Sequence, residues 1–468
     1  MKKIILILFL IFTTIYLSLL FFKKDELKIL SHNFKNLFVE LAPIVKSKII
    51  LQSDIRFKQQ RKHEGLIHYV LDNFSDHSLQ TYYLPFDDYY TSQDKPSAYL
   101  EQTEDRVILA SGSAEFIYFE KSEIGQANIQ FKSIDTNIKS VIKDSLIYTV
   151  GSRSIKDLKV INDFLYLSYT KRVSDHCYNV SVLRARLNFD NLNFQEVFSP
   201  DECLNDEYRK QSGGRIFPYK ENKILLSVGV FNHSLMAQNL DSMFGKIIAF
   251  EPMSNNYEVI SMGHRNPQGL YYDAELDIII NTEHQALGGD EVNLNKGDNF
   301  KNFGWPMASY GSHYGRKIIE DQPLHKSHSK YGFDEPLIYF TPAIGISQIV
   351  KAPDSFSNNN SRDFLVSSMG HGVNEGGDMS IHHLRMNDSY NEIEYMNLIP
   401  IGERIRDIEV LNDSNDIMLI LESIPAIGIL SPKKYSCNKK LPPCNINKFY
   451  TKSDAKKMST ESYKELLP

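Results

Sequence analysis

One short pattern recurs six times along the chain and limits what it can fold into. A tight turn built from Asp, Asn, Glu or Lys leads into an apolar strand that ends in small or polar residues. Copies lie at residues 100–110, 160–168, 218–228, 271–281, 352–368 and 410–421, the fifth being the loosest. They are mostly about 53–60 residues apart, with one gap near 80. Repeats of this length, each a turn between strands, are the mark of a propeller blade. One such module cannot bury both of its faces alone, whereas six in a ring bury them against one another and leave only short edges. The apolar runs are too short for core helices, and Gly, Asn and Asp punctuate them at strand-like spacing. Aromatic residues, at 12% of the chain, fit the same strand-and-turn composition. The expected fold is all-β: a six-bladed β-propeller over residues 97–432 with an N-terminal transmembrane helix. A pair of β-sandwiches is the alternative. The long gap holds residues 304–336, rich in Gly, His, Tyr and Pro, and is expected as a loop between blades.

The ends carry separate signals. Ile4 to Phe22 is an uncharged stretch flanked by Lys2, Lys3, Lys23 and Lys24, close to the roughly 20 residues a membrane-spanning helix needs. It ends in Leu-Leu-Phe-Phe rather than small residues, which favours a retained signal anchor over residues 1–24 above a cleaved signal peptide. Residues 25–96 are expected as a helical spacer, with Leu27, Leu30, Phe34, Leu37, Phe38 and Leu41 near helical period, followed by a lead-in. Residues 433–468 form a Lys- and Ser-rich tail. The four cysteines suggest the pairs Cys177–Cys203 and Cys437–Cys444, with four free thiols as the alternative. The formal net charge of −6, with both signs interspersed, gives no basic stripe for a nucleic-acid partner.

Two segments stand out chemically. One is Gly263-His-Arg-Asn-Pro-Gln-Gly-Leu270. The other is Thr282-Glu-His-Gln-Ala-Leu-Gly-Gly-Asp-Glu-Val-Asn293, continuing to Asn302-Phe-Gly-Trp-Pro306 and Ser309-Tyr-Gly311. A third block, Gly402-Glu-Arg-Ile-Arg-Asp-Ile408, precedes the last copy of the repeat, and a weaker fourth, Gly213-Gly-Arg-Ile216, precedes Leu225-Leu-Ser-Val-Gly229. In order and spacing these resemble the pyrroloquinoline quinone (PQQ)-dependent glucose/sorbosone dehydrogenase family, which includes the soluble quinoprotein glucose dehydrogenase and the aldose sugar dehydrogenases. The resemblance covers roughly residues 100–432.

The chemistry of the blocks suits such a cofactor. A guanidinium forks onto planar carboxylates, and an amide supplies both a donor and an acceptor; PQQ is a flat tricarboxylic ortho-quinone. The resemblance places Arg265, Asn266, Gln268 and His284 at the quinone. Arg404 and Arg406 alternate at strand period and share a face, giving a second pair of forks. Ordinary ion pairs with Glu403, Asp407 or Glu409 are the alternative for those two. Gly288-Gly-Asp-Glu291 is a tight turn offering oxygen ligands of the kind Ca²⁺ prefers. By resemblance, the carbonyls of Gln285 and Ala286 would face a cofactor calcium and those of Glu291 and Phe303 a structural one. A metal-free turn capped by Asp290 is the alternative.

The pattern breaks at the chemical centre. Aligned on Gly214-Arg215, the family's catalytic histidine falls at Gln211 and its supporting aspartate at Val230. Glutamine accepts no proton at neutral pH, and valine orients nothing. The family lysine at the quinone is not visible in Val366-Ser-Ser-Met-Gly-His371, while His264, His284, His371, His382 and His383 lie in or near the relevant loops. The expected function is that of a divergent PQQ-dependent sugar (aldose) dehydrogenase acting on a small sugar or alcohol, membrane-anchored with its propeller in the periplasm. The alternative is a non-catalytic saccharide- or protein-binding propeller; a calcium-dependent hydrolase or lactonase is a third reading.

Overall fold

The computed structural model describes residues 77–86, 97–149, 152–205, 210–297, 299–314, 319, 321–357, 362–370, 379–423 and 425–432, with the short strands Ile67–Tyr69 and Tyr450–Thr451. The expected N-terminal membrane helix, His371 and the Cys437–Cys444 pair lie outside these residues. Among the described residues no helix is long and apolar enough to cross a membrane.

Six antiparallel sheets follow one another along the chain. Their innermost strands are Ala98–Gln102, Ile155–Ile161, Gly213–Tyr219, Pro267–Asp273, Ile346–Lys351 and Ile405–Val410. Each adjoins the next, and the sixth adjoins the first, so the ring closes. We number the blades one to six in this order. Every copy of the sequence pattern is the hairpin between the first and second strands of one blade.

The apolar runs exist because both faces of a blade are covered. In Arg106–Ser111, Val107 and Leu109 pack toward blade six, where they meet Met418, Ile420, Ile427 and Ile429. Ile108 and Ala110 face the other way, against Ile155, Leu158, Leu165 and Leu167 of blade two. Blade three repeats the alternation: Ile224, Leu226 and Val228 join the core shared with blade two, and Leu225 the core shared with blade four. A strand buried on both sides reads as a continuous apolar run.

Two connections depart from the expected layout. The strand His77–Tyr83, within the segment read as a lead-in, pairs residue for residue with Ala426–Pro432 and so joins blade six. The N-terminal part of the propeller thus closes its last blade. The segment 304–336 is not a loop between blades. It lies inside blade four, between its third strand Asp290–Lys296 and its outer strand Ile338–Phe340. Just before it, Lys301–Asn302 pairs in parallel with blade three. The expected Cys177–Cys203 disulfide is present; it fastens the short strand Leu204–Asn205 to Cys177–Arg186 in blade two.

In five innermost strands the pairing register slips near the start, between 155 and 157, 213 and 216, 267 and 269, 346 and 349, and 405 and 407. A bulge bends a strand and re-aims the skipped side chain. Lys156, Gln268 and Arg406 are skipped in this way, and in blade three the skipped pair is Gly214-Arg215. Gly214 has φ +117, and a Cβ there would lie 2.3 Å from that of Lys156; only glycine lets the two bulges approach so closely.

Candidate functional site

The loop carrying Arg265 is anchored from below by a buried carboxylate that the sequence did not single out. Glu283 accepts from the Arg265 backbone N–H (2.7 Å) and from Asn293 (2.7 Å), and pairs with His264 Nδ1 (2.9 Å). His264 is fully buried, bonds Ser261 through its other ring nitrogen and packs against Phe303, so its role is to hold the loop. The Arg265 guanidinium donates to the carbonyls of His284 (3.2 Å) and Gln285 (2.7 Å) and lies 5.2 Å from the Trp305 ring centre. Burial lowers its pKa.

From this loop a chain of polar contacts crosses the mouth of the ring. Asn266 Oδ1 accepts from the Gly213 N–H of blade three and from Gln268 Nε2. Gln268 Oε1 in turn accepts from Arg406 (3.4 Å). Arg406 pairs with Glu422 (2.6 Å), and Arg404 meets the other oxygen of the same carboxylate (3.1 Å). Arg404 also donates to the carbonyls of Met369 and Gly370 in blade five. Of the residues expected at a quinone, Asn266, Gln268, Arg404 and Arg406 therefore meet at one mouth, and Arg265 adjoins Asn266 in the same loop while its guanidinium turns to the His284 and Gln285 carbonyls. The partner of the two arginines is Glu422, not Glu403, Asp407 or Glu409. Burial opposes ionisation of Glu422, but Arg406 and Arg404 outweigh it and hold the carboxyl below its ordinary range. Two guanidiniums on one carboxylate leave one positive charge in excess, and charge-assisted forks of this kind recognise carboxylates.

His284 is half-buried at the rim. Its N–H donates to the Asn266 carbonyl, and its Nδ1 lies 3.7 Å from Asp290. His383 is engaged by Asp363 (2.7 Å), and His382 is buried against Phe340; both lie in the third strand of blade five. Gln211, at the position of the family base, borders the Arg265 loop through its backbone: its carbonyl accepts from Phe231, while Val230 donates to the Arg265 carbonyl. Val230 is fully buried in an apolar cluster with Ala237, Ala286, Trp305 and Leu324. That wall of the mouth is therefore hydrophobic where an aspartate was sought. Gln211 Oε1 and Trp305 Nε1 are buried without partners. Among the described residues an acceptor and a donor are thus left open near the Arg265 loop, which suits a polar ligand, and the donor set fits a quinone bearing carboxylates.

The expected calcium positions read differently. The Gln285 carbonyl is already taken by the Arg265 guanidinium, and the Ala286 carbonyl accepts from the Gly289 N–H within the turn. The Gln285 side chain donates to Glu291 (3.1 Å), whose carboxyl is pushed well above its ordinary range by burial and then by Glu283. Phe303 is a fully buried packing residue. No group of three or more His, Cys, Asp or Glu side chains among the described residues is arranged to hold a metal ion. In this arrangement each of those two carbonyls already accepts one hydrogen bond, and no chemistry is assigned to calcium below.

Beneath the mouth the channel is filled by two layers of charge. In the upper layer Arg215 bonds Asp157 (2.8 Å) and Asp407 (2.7 Å) and lies over the Tyr99 ring. In the lower layer Lys159 meets Glu101 (2.8 Å) and Glu409 (3.5 Å). Below Arg215 lies a cavity of about 350 Å³, lined in part by Phe217, Tyr271, Lys159 and Glu409.

The two layers set a pH dependence. Burial, opposed by Arg215 and helped by Asp407, pushes Asp157 up to about 7 from 3.8. Burial, opposed by Lys159 and helped by Glu101, pushes Glu409 up to about 7 from 4.5. Between those limits the folded chain keeps protons that the unfolded chain has released, so stability falls as pH rises from about 4 to about 7. Asp363 and Glu422, held low, act in the opposite sense at lower pH. Urea midpoints are expected to be higher at pH 5 than at pH 8 by an amount equivalent to a few kcal/mol. Asp157→Asn should reduce that difference by about half, Glu409 supplying the rest; an unchanged slope would remove Asp157 from the account.

A ring of six four- to five-stranded blades with arginines gathered at one mouth defines a class of cofactor- or ligand-binding propellers. Residues 158–424, more than half of the chain, match the family model described as Glucose / Sorbosone dehydrogenase, and the chain belongs to that family. It is 35% identical over 210 residues to an uncharacterized protein of Synechocystis, covering 40% of this chain and 47% of that one. It is 28% identical over 224 residues to the aldose sugar dehydrogenase YliI of Escherichia coli, covering 43% and 58%. The chain thus spans about half the length of the curated relatives it matches. Among solved structures it is similar in fold to the PQQ-bound aldose sugar dehydrogenase of Streptomyces coelicolor, with TM-score 0.53, 14% identity, and coverage of 76% of this chain and 98% of that one.

Proposed function

We propose that this protein binds PQQ at the arginine-lined mouth and oxidises a sugar or related alcohol, as a divergent member of its family. The observation that carries the reading is the joining of Asn266, Gln268, Arg406 and Arg404 across blades four and six at one mouth, with Arg265 next to Asn266 in the same loop. Arg404 and Arg406 would take cofactor carboxylates with the charge left over from Glu422, and Arg265 would fork onto another. Val230, Ala286, Trp305 and Leu324 exclude water from one wall. When bound, PQQ supplies an ortho-quinone able to accept hydride from a C–H bond. A non-catalytic binding propeller is the second reading, favoured by the apolar setting of Val230 and the amide at Gln211. The uncharged stretch at residues 4–22 and the Cys177–Cys203 disulfide, which suits an oxidising compartment, support a membrane-tethered, periplasmic placement.

Titration of PQQ into the chain expressed from residue 25, followed by cofactor absorbance, tests the reading. Arg265→Leu is expected to weaken binding by about 30-fold or more, since truncating one partner of a desolvated charge pair costs about 2–5 kcal/mol. Arg265→Lys should lie between, keeping charge but losing the fork. Dye reduction with a panel of aldoses separates the two readings: binding without turnover favours the vestigial one. A wild-type chain that does not bind PQQ ends the dehydrogenase reading and leaves the non-catalytic one.

A further inference from the structure

We infer that Arg215, which lies in the channel and not in the mouth, is the positioning residue that sets the spacing of the cofactor-binding side chains; this rests on the PQQ reading above. Arg215 is almost fully buried and belongs to blade three. Its Nε donates to the backbone carbonyl of Gln268 in blade four (2.7 Å), and its Nη2 to the backbone carbonyl of Arg406 in blade six (3.0 Å). These are the two residues skipped at the bulges of their strands, where ladder hydrogen bonds no longer fix the backbone. They are also the two whose side chains meet at the mouth, Gln268 Oε1 with Arg406 Nη1. One planar guanidinium therefore ties together two bulged backbone points beneath the pocket, which lie 138 positions apart in sequence.

The guanidinium is fixed in its turn from the remaining directions. Asp157 of blade two and Asp407 of blade six each accept from Nη1, and the Tyr99 ring of blade one lies beneath it at 5.1 Å. Asp157 also accepts from the Ile216 N–H (2.8 Å), so the strand that carries Arg215 is held by the same carboxylate. Five N–H donors in a rigid fork can satisfy two carboxylates and two carbonyls at once; a lysine ammonium has three donors and no plane. With Arg215 in place, the Gln268 and Arg406 backbones are held to one planar group by two hydrogen bonds. Without it, the direct link between the two residues is a 3.4 Å side-chain contact. Pockets that bind by several directed forks lose affinity when those forks are misplaced by even about 1 Å.

The lower layer provides the comparison. Lys159 is buried among carboxylates in the same channel, yet its contacts are to Glu101 and Glu409 side chains and not to the backbone of the mouth. Arg215→Leu and Lys159→Met both remove a buried cation, so a purely structural role predicts the same consequences for each. Positioning predicts a split. In Arg215→Leu the PQQ dissociation constant should rise by at least about tenfold, equivalent to about 1.4 kcal/mol, and Arg215→Lys should recover only part of it. In Lys159→Met it should stay within about threefold of wild type. Amide hydrogen exchange on the cofactor-free protein reads the same point without PQQ: relative to the rest of the propeller, exchange at 268–269 and 405–407 should quicken in Arg215→Leu and not in Lys159→Met. Equal changes in the two variants, in affinity or in exchange, overturn the inference. If wild-type protein binds no PQQ, the functional reading falls, and the exchange comparison alone then decides whether Arg215 positions the mouth.

Discussion

Lys159→Met is expected to lower the stability of the propeller by about 3–5 kcal/mol, the range for breaking a buried charge network from one side. Lys159 lies between Glu101 and Glu409, and Glu101 has almost no exposed side chain. Removing the ammonium leaves two carboxylates facing each other in the channel, and either both stay charged without compensation or at least one must take up a proton. The first choice costs desolvation energy, and the second costs the free energy of protonation at the working pH. The deficit should shrink at pH 5, where protonation is cheap, and should largely disappear in a variant that also carries Glu101→Gln and Glu409→Gln. Urea unfolding of the single and triple variants measures both effects. A single variant as stable as wild type at pH 8 would show that water reaches the layer and screens it.

Glu422→Gln is expected to cost a similar amount, about 3–5 kcal/mol, for the opposite reason. The native carboxylate is the counter-ion of both Arg404 and Arg406 and has no exposed side-chain surface. The neutral amide leaves two guanidiniums close together with no anion between them. The cofactor links this loss to binding. A ligand that binds only the folded state stabilises it in proportion to its affinity and concentration, and a tricarboxylate would supply the negative charge that the amide lacks. Added PQQ should therefore raise the melting temperature of Glu422→Gln by more than it raises that of wild type. An equal or smaller rise would mean that the two arginines do not reach the ligand.

The blades were legible because their strands obey local rules. Val107-Ile-Leu-Ala110 and Ile278-Ile-Ile-Asn281 are apolar on both faces and follow turns rich in Asp, Asn and Glu, and each such segment became the second strand of a blade. His77–Tyr83 was not legible. Its mixture of half-buried and buried positions has no meaning until Ala426–Pro432, hundreds of residues away, supplies its ladder. The site divides in the same way. Arg265, Asn266, Gln268, Arg404 and Arg406 stand in compact motifs and could be named from them. Glu283 and Glu422, the carboxylates that hold those motifs, each end or follow an apolar strand, and nothing local marks which arginine or histidine they will meet. Arg215 was visible within a glycine-flanked block, but its contacts to blades one, two, four and six exist only once the ring has closed.

The pairing of His77–Tyr83 with Ala426–Pro432 makes the two ends of the propeller mutually dependent. During synthesis the early strand must wait, unpaired, until nearly the whole ring has emerged, so an exposed edge persists through most of translation. Once the clasp shuts, fraying at either terminus loosens the blade that carries Arg404, Arg406 and Glu422. Trimming the chain into His77–Tyr83 would then weaken a pocket whose side chains stand on other strands of that blade.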